Sequence, residues 1–106
     1  MRMWMTNPSK MCRKHLLGEH VECHMFVGTI KKGISIKGYL EKGLLETHNL
    51  QKRHDELAKE MTERGYKHNS VLECCFPEMG NIDVKYNEED LKRRCLDCRG
   101  RITNGN

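Results

Sequence analysis

The sequence predicts a mostly α fold: a compact single domain of three principal helices joined by irregular connections. Three observations predict it. Apolar residues recur at spacings of three and four along three separate stretches, which is the repeat of a helix face and not of a strand. The chain has 106 residues, enough for one domain spanning 1–106 and too few for two. It holds only 2 Pro and 9 Gly, too few turn formers for a many-stranded barrel.

The first helix is expected from Lys10 to about Gly28. Asn7 and Ser9 can cap it, and Pro8 is tolerated in a first turn. At 100° per residue, Cys12, Leu16, Cys23 and Val27 form one apolar strip, and Leu17, Val21 and Met25 form another. Between them runs a polar stripe of His15, Glu19 and Glu22, so this helix lacks the single apolar face of an ordinary surface helix. Residues 28–38 carry three Gly and read as a loop, followed by a short helix or turn through residues 39–45. The second strong helix covers 46–64. There Leu50, His54, Leu57 and Met61 recur at four, three and four, and Arg64-Gly65 supplies a stop. Residues 66–87 read as mostly irregular. The third helix starts at Asn87-Glu88-Glu89-Asp90, with acids in the favourable first turn, and carries the stripe Leu91, Cys95, Cys98 and Ile102. The tail 103–106 is expected to fray.

Charge and composition exclude several function classes. Lys+Arg is 19 against 15 Asp+Glu, a modest excess of +4. No apolar run approaches the roughly 20 residues of a membrane span, so no membrane partner is expected. The N-terminal stretch lacks a signal-peptide core, so the six Cys are expected as reduced thiols in a cytoplasmic setting, such as a bacterial or phage-infected cell. Residues 92–101 concentrate five cations: Lys92, Arg93, Arg94, Arg99 and Arg101. These side chains suit phosphates, as do Arg2, Lys10, Arg13 and Lys14, although a solvated helix face is the commoner origin of such a cluster.

Several residues could carry chemistry. An α-amino group has an ordinary pKa of about 7.7–8.0, against about 10.4 for Lys, so a chain start holds a neutral, nucleophilic amine fraction near neutral pH. Residue 2 is Arg, so Met1 is expected to be retained. In the stripe His15, Glu19, Glu22, a carboxylate beside an amine can hold a developing cation and shuttle protons. The bland alternatives are an idle chain end and a helix-surface triad. His20 and His24 lie one turn apart as in zinc helices, but the Glu of His20-Val21-Glu22-Cys23-His24 is one place late for the metalloprotease register, so no metal is expected there. Cys74-Cys75 with Cys95-x-x-Cys98 could form a four-Cys zinc knuckle. Adjacent Cys74-Cys75 is not a usual half-site, however, and Cys95 and Cys98 are expected as packed core thiols.

Three stretches together resemble the phage-type pyrimidine-dimer DNA glycosylases with AP lyase activity, the endonuclease V group. They are the start Met1-Arg2; the segment His15-Leu16-Leu17-Gly18-Glu19-His20-Val21-Glu22; and the segment Lys52-Arg53-His54-Asp55-Glu56-Leu57 through Glu60 to Arg64-Gly65-Tyr66. The resemblance implies a compact three-helix domain with the N-terminus packed between helices. By position it puts the nucleophilic amine on Met1 and the catalytic glutamate on Glu22. Arg2 and His15 then fall in the surround of the site. Lys14, Glu19 and Arg53 join them as expected substrate-binding residues. The implied reaction is attack of the amine on C1′ of a damaged or modified nucleotide, a Schiff base, and Glu-assisted strand cleavage, with DNA as partner, a monomeric protein, no organic cofactor and no metal.

Val21 and Met25 stand where the family's dimer-specific enzymes carry arginines, and the family's aromatic, basic C-terminal segment is missing. The base removed is therefore left open. Two readings from other classes stand beside this one: a non-catalytic basic nucleic-acid-binding module and a small zinc-binding structural protein.

Overall fold

Asn7 begins the first regular turn. Its Oδ1 accepts the Ser9 N–H at 3.0 Å, and Pro8 occupies the first position of a 3-10 turn, Pro8–Lys10. Cys12 is extended and caps the long helix that follows, its Sγ accepting the His15 N–H at 3.5 Å. The computed structural model describes residues 1–104, and among these it has helices and no strand. The helices are α1 (Arg13–Lys31), α2 (Lys37–Glu41), α3 (Leu50–Glu63), α4 (Val84–Arg94) and α5 (Leu96–Thr103). The mostly α fold is thus as the periodicity predicts.

Three details differ from the sequence-based expectation. Helix α1 runs past Gly28 to Lys31 and yields to Gly33 at φ 74°. Helix α4 starts earlier, because Asp83 Oδ1 accepts the Tyr86 N–H at 3.0 Å and so caps it. The expected third helix is two helices. Cys95 has φ −134° and ψ 116°, which ends α4 and makes Cys95 the cap of α5, where its Sγ accepts the Cys98 N–H at 3.4 Å. A stripe with unbroken period does not reveal one extended residue within it.

The core gathers where α1 packs on α3 and where α4 and α5 close over the start of the chain. Leu16, Leu50, Leu57 and Leu91 are fully buried, each contributing roughly 1.5–3 kcal/mol. Of the two apolar strips expected on α1, only the strip with Leu16, Cys23 and Val27 is buried. Val21 and Met25 lie on the surface, because the second buried flank of α1 is built from Glu19 and His20 instead.

Residues 1–6 run as an extended thread through the interior. The Met3 N–H donates to the Leu44 carbonyl at 2.8 Å, and Met3 is fully buried. Asn87 of α4 donates to the carbonyls of Met3 (3.2 Å) and Trp4 (3.1 Å). Met5 takes φ 61°, a left-handed conformation uncommon outside glycine, and this turns its N–H toward Glu19 Oε2 at 3.4 Å.

The irregular stretch 66–83 is strapped to the body. Thr47 Oγ1 donates to the Pro77 carbonyl at 2.6 Å, and Glu46 Oε2 accepts the Ile82 N–H at 2.7 Å. Gly80, at φ 90°, passes so close to Leu45 that a Cβ there would meet the Leu45 carbonyl oxygen at 2.0 Å. At the other end Thr103 closes α5, while the rest of the expected frayed tail, residues 105–106, lies outside the described residues.

Candidate active site

Glu22 lies on α1 where the chain start reaches it. The Met1 amine sits 3.7 Å from Glu22 Oε1, and the Arg2 N–H donates to the same oxygen at 3.1 Å. The Met1 side chain is 15% exposed and that of Glu22 26%, so the pair is sheltered and still reachable from solvent. Gly18 lies one turn before Glu22, and a Cβ there would lie 4.0 Å from Oε2, in ordinary contact.

Arg2 is held from two sides. Its guanidinium stacks on Trp4, with Cζ 3.8 Å from the ring centroid, a contact worth about 0.5–2 kcal/mol. Its Nη1 donates to Asp90 Oδ2 at 3.2 Å and its Nη2 to Asn87 Oδ1 at 2.7 Å. Asp90, 2% exposed, also pairs with Arg93 and with Arg94, the latter at 3.1 Å. Arg2 therefore ties the first residues to α4. It also lines a cavity of about 240 Å³ with Lys42, Asn81, Asp83, Tyr86 and Arg94.

Glu19 and Arg53, expected to contact substrate, are fully buried against one another. Arg53 Nε donates to Glu19 Oε2 at 2.6 Å and Nη2 to Oε1 at 2.8 Å. Both side chains are closed off from solvent and form a buried pair, not an exposed contact surface. With the Met5 N–H on the same carboxylate, this fork sets the depth of the N-terminal thread against α1. Lys14 is exposed. His15 is half-buried, its ring edge-on to Trp4 with centroids 5.8 Å apart. Its pKa is lowered by burial and by neighbouring Lys14, an effect opposed by Glu22.

Most of the cationic cluster is engaged. Lys92 pairs with Glu89 at 2.8 Å, Arg93 and Arg94 with Asp90, and Arg101 Nη1 donates to the Ser9 carbonyl at 3.0 Å. Arg99 is exposed.

Two groups of metal-ligand type assemble in ways the sequence reading missed. His20, His54 and His68 bring one nitrogen each within 4.8 Å of one another, and His24 packs against His20 and His54. Cys12, His15, Cys95 and Cys98 do the same with three sulfurs and one nitrogen. Cys74 and Cys75 take no part. The signal for the second group was present as two pairs of equal spacing, Cys12-x-x-His15 and Cys95-x-x-Cys98, at opposite ends of the chain. The structural parts of Asn87 and Asp90 were hidden because a polar residue in a first turn reads as solvated.

Among known proteins, the family model described as pyrimidine dimer DNA glycosylase matches residues 1–73. No curated protein and no solved structure matches the chain. Among the described residues, no helix is long and apolar enough to cross a membrane.

Proposed function

The chain belongs to the pyrimidine dimer DNA glycosylase family, a family of DNA-repair enzymes, and from that premise we propose that it is an N-glycosylase with AP lyase activity whose nucleophile is the Met1 amine. The observation that carries this reading is the 3.7 Å separation of that amine from Glu22 Oε1. It is an ion-pair distance, and catalytic contacts in ligand-free enzymes commonly tighten when substrate binds.

The steps follow from the pair. The Met1 nitrogen bonds to C1′ of a damaged or modified nucleotide, and the C1′–base bond breaks with its electrons leaving on the base, which takes up a proton. The sugar ring opens to a Schiff base between C1′ and the Met1 nitrogen. The Glu22 carboxylate faces the cationic nitrogen and stabilises it electrostatically. Glu22 also relays the protons, loss of the C2′ proton expels the 3′ phosphate, and the strand is cut. A damaged base leaves the stack at lower cost than a sound one, which supplies part of the selectivity.

Borohydride reduction in the presence of abasic duplex DNA tests the reading. A covalent adduct through Met1 is expected, lost on N-terminal acetylation, and strongly slowed by Glu22→Gln with DNA binding retained. DNA binding without any adduct overturns the lyase chemistry in favour of a non-catalytic binding module.

A further inference from the structure

Two helix starts meet at one point of the molecule. Cys12 caps α1 and His15 follows it by three residues; Cys95 caps α5 and Cys98 follows it by three. The four ligand atoms lie within 4.8 Å of one another. Three of the separations are resolved further: Cys12 Sγ to Cys95 Sγ is 3.8 Å, Cys98 Sγ to His15 Nδ1 is 3.6 Å, and Cys12 Sγ to His15 Nδ1 is 3.2 Å. A tetrahedron with metal–sulfur bonds of about 2.3 Å and metal–nitrogen bonds of about 2.05 Å has S···S edges of about 3.8 Å and S···N edges of about 3.6 Å. Two of the three observed edges coincide with these lengths, and the third is a few tenths shorter.

Every sulfur also receives a backbone amide. The His15 N–H points at Cys12 Sγ (3.5 Å), the Cys98 N–H at Cys95 Sγ (3.4 Å), and the Cys12 N–H at Cys98 Sγ (3.2 Å). Neutral thiols accept hydrogen bonds weakly, whereas thiolates at helix starts gain from both the donors and the helix dipole. Three amides aimed at three sulfurs are the outer-shell pattern that supports metal-bound thiolates. The donor set, three soft sulfurs and an imidazole in tetrahedral array, selects zinc over hard cations.

We propose that Cys12, His15, Cys95 and Cys98 hold one zinc ion in a closed Cys3His site that fastens α5 to the start of α1. Zinc binding to the reduced chain displaces up to three thiol protons to solvent, with no change of oxidation state. All four positions are protein ligands, so the site is structural. His15 is thereby a zinc ligand through Nδ1 and not a substrate contact, and the two Cys expected as plain core thiols are metal thiolates. The site does not depend on the glycosylase reading.

The full chain, purified reduced and without chelator, is expected to carry about one zinc per molecule by elemental analysis. Replacing the metal with cobalt(II) is expected to give a thiolate charge-transfer band in the near ultraviolet and the intense visible bands of tetrahedral coordination. Cys98→Ser is expected to lose the metal, Cys75→Ser to keep it, and His15→Cys to keep it with a shifted cobalt spectrum. If a variant fails to fold, the cobalt spectrum of the unaltered chain alone decides. A reduced, folded chain that takes up neither zinc nor cobalt overturns the proposal. So does cobalt bound without a thiolate band, which places the metal on His20, His54 and His68.

Discussion

Residues 1–73 and residues 74–104 make unequal contributions to the candidate site. The first region, which the family model spans, supplies both proposed reacting groups, Met1 and Glu22, and the buried fork Glu19–Arg53 beneath them. The second supplies no reacting group. It supplies Asn87 and Asp90, which hold the chain start in place, and half of the Cys–His cluster. The difference teaches that chemistry and its scaffold can sit in separate stretches of a small chain. An amine on a chain end has no helix of its own to fix it, so neighbouring elements must do so.

The comparison can be broken in the first region most severely. Arg53→Met leaves the Glu19 carboxylate buried and unpaired. It is expected to cost about 3–5 kcal/mol of stability, read by urea unfolding, with Glu19→Gln in the same background recovering part of the loss.

Acid gives the next largest effect. His20 is pushed down to about 4 by burial and by the nearby rings of His54, His68 and His24, and the Asp55 carboxylate lies 2.9 Å from His54 Nδ1. An unfolded His titrates near 6.5, so the unfolded chain takes up the proton first. The stability that a neutral His20 contributes is in place above pH 6.5 and is lost as pH falls toward 4, by at most about 3 kcal/mol. His20→Gln is expected to flatten that pH dependence.

Asn87→Ala sharpens the contrast between the regions. It removes one acceptor from Arg2 and two donors from the thread, and is expected to cost about 1–3 kcal/mol. It is also expected to lower the yield of borohydride-trapped adduct, although the Asn87 side chain hydrogen-bonds to Arg2, Met3 and Trp4 and to neither Met1 nor Glu22. An unchanged yield would confine the site's support to residues 1–73. The smallest effect is a gain. Gly18→Ala fits, since the added Cβ lies in ordinary contact range of Glu22, and should stabilise α1 by about 0.5–1 kcal/mol while leaving adduct formation in place.

Much of this architecture was legible in the residues. The repeats at Leu50, His54, Leu57 and Met61 and the Arg64-Gly65 stop mark α3 to within a few residues, because a single amphipathic face is a local property. The polar stripe on α1 included Glu22, but it did not separate Glu22 from Glu19. One turn apart on the same helix, they differ only in what the rest of the fold brings to them, an arginine from α3 or the chain start. The break at Cys95 and the meeting of Cys12 with Cys98 depend on contacts more than 80 residues apart, which no local period records.

Val21 and Met25, one residue before and three residues after Glu22, are 53% and 48% exposed. These two side chains carry no charge to exchange for counterions when a phosphate approaches. A ligand seated there sheds water from thioether and isopropyl groups, so its contact with these two residues should register as a negative heat-capacity change and add nothing to the dependence of affinity on ionic strength.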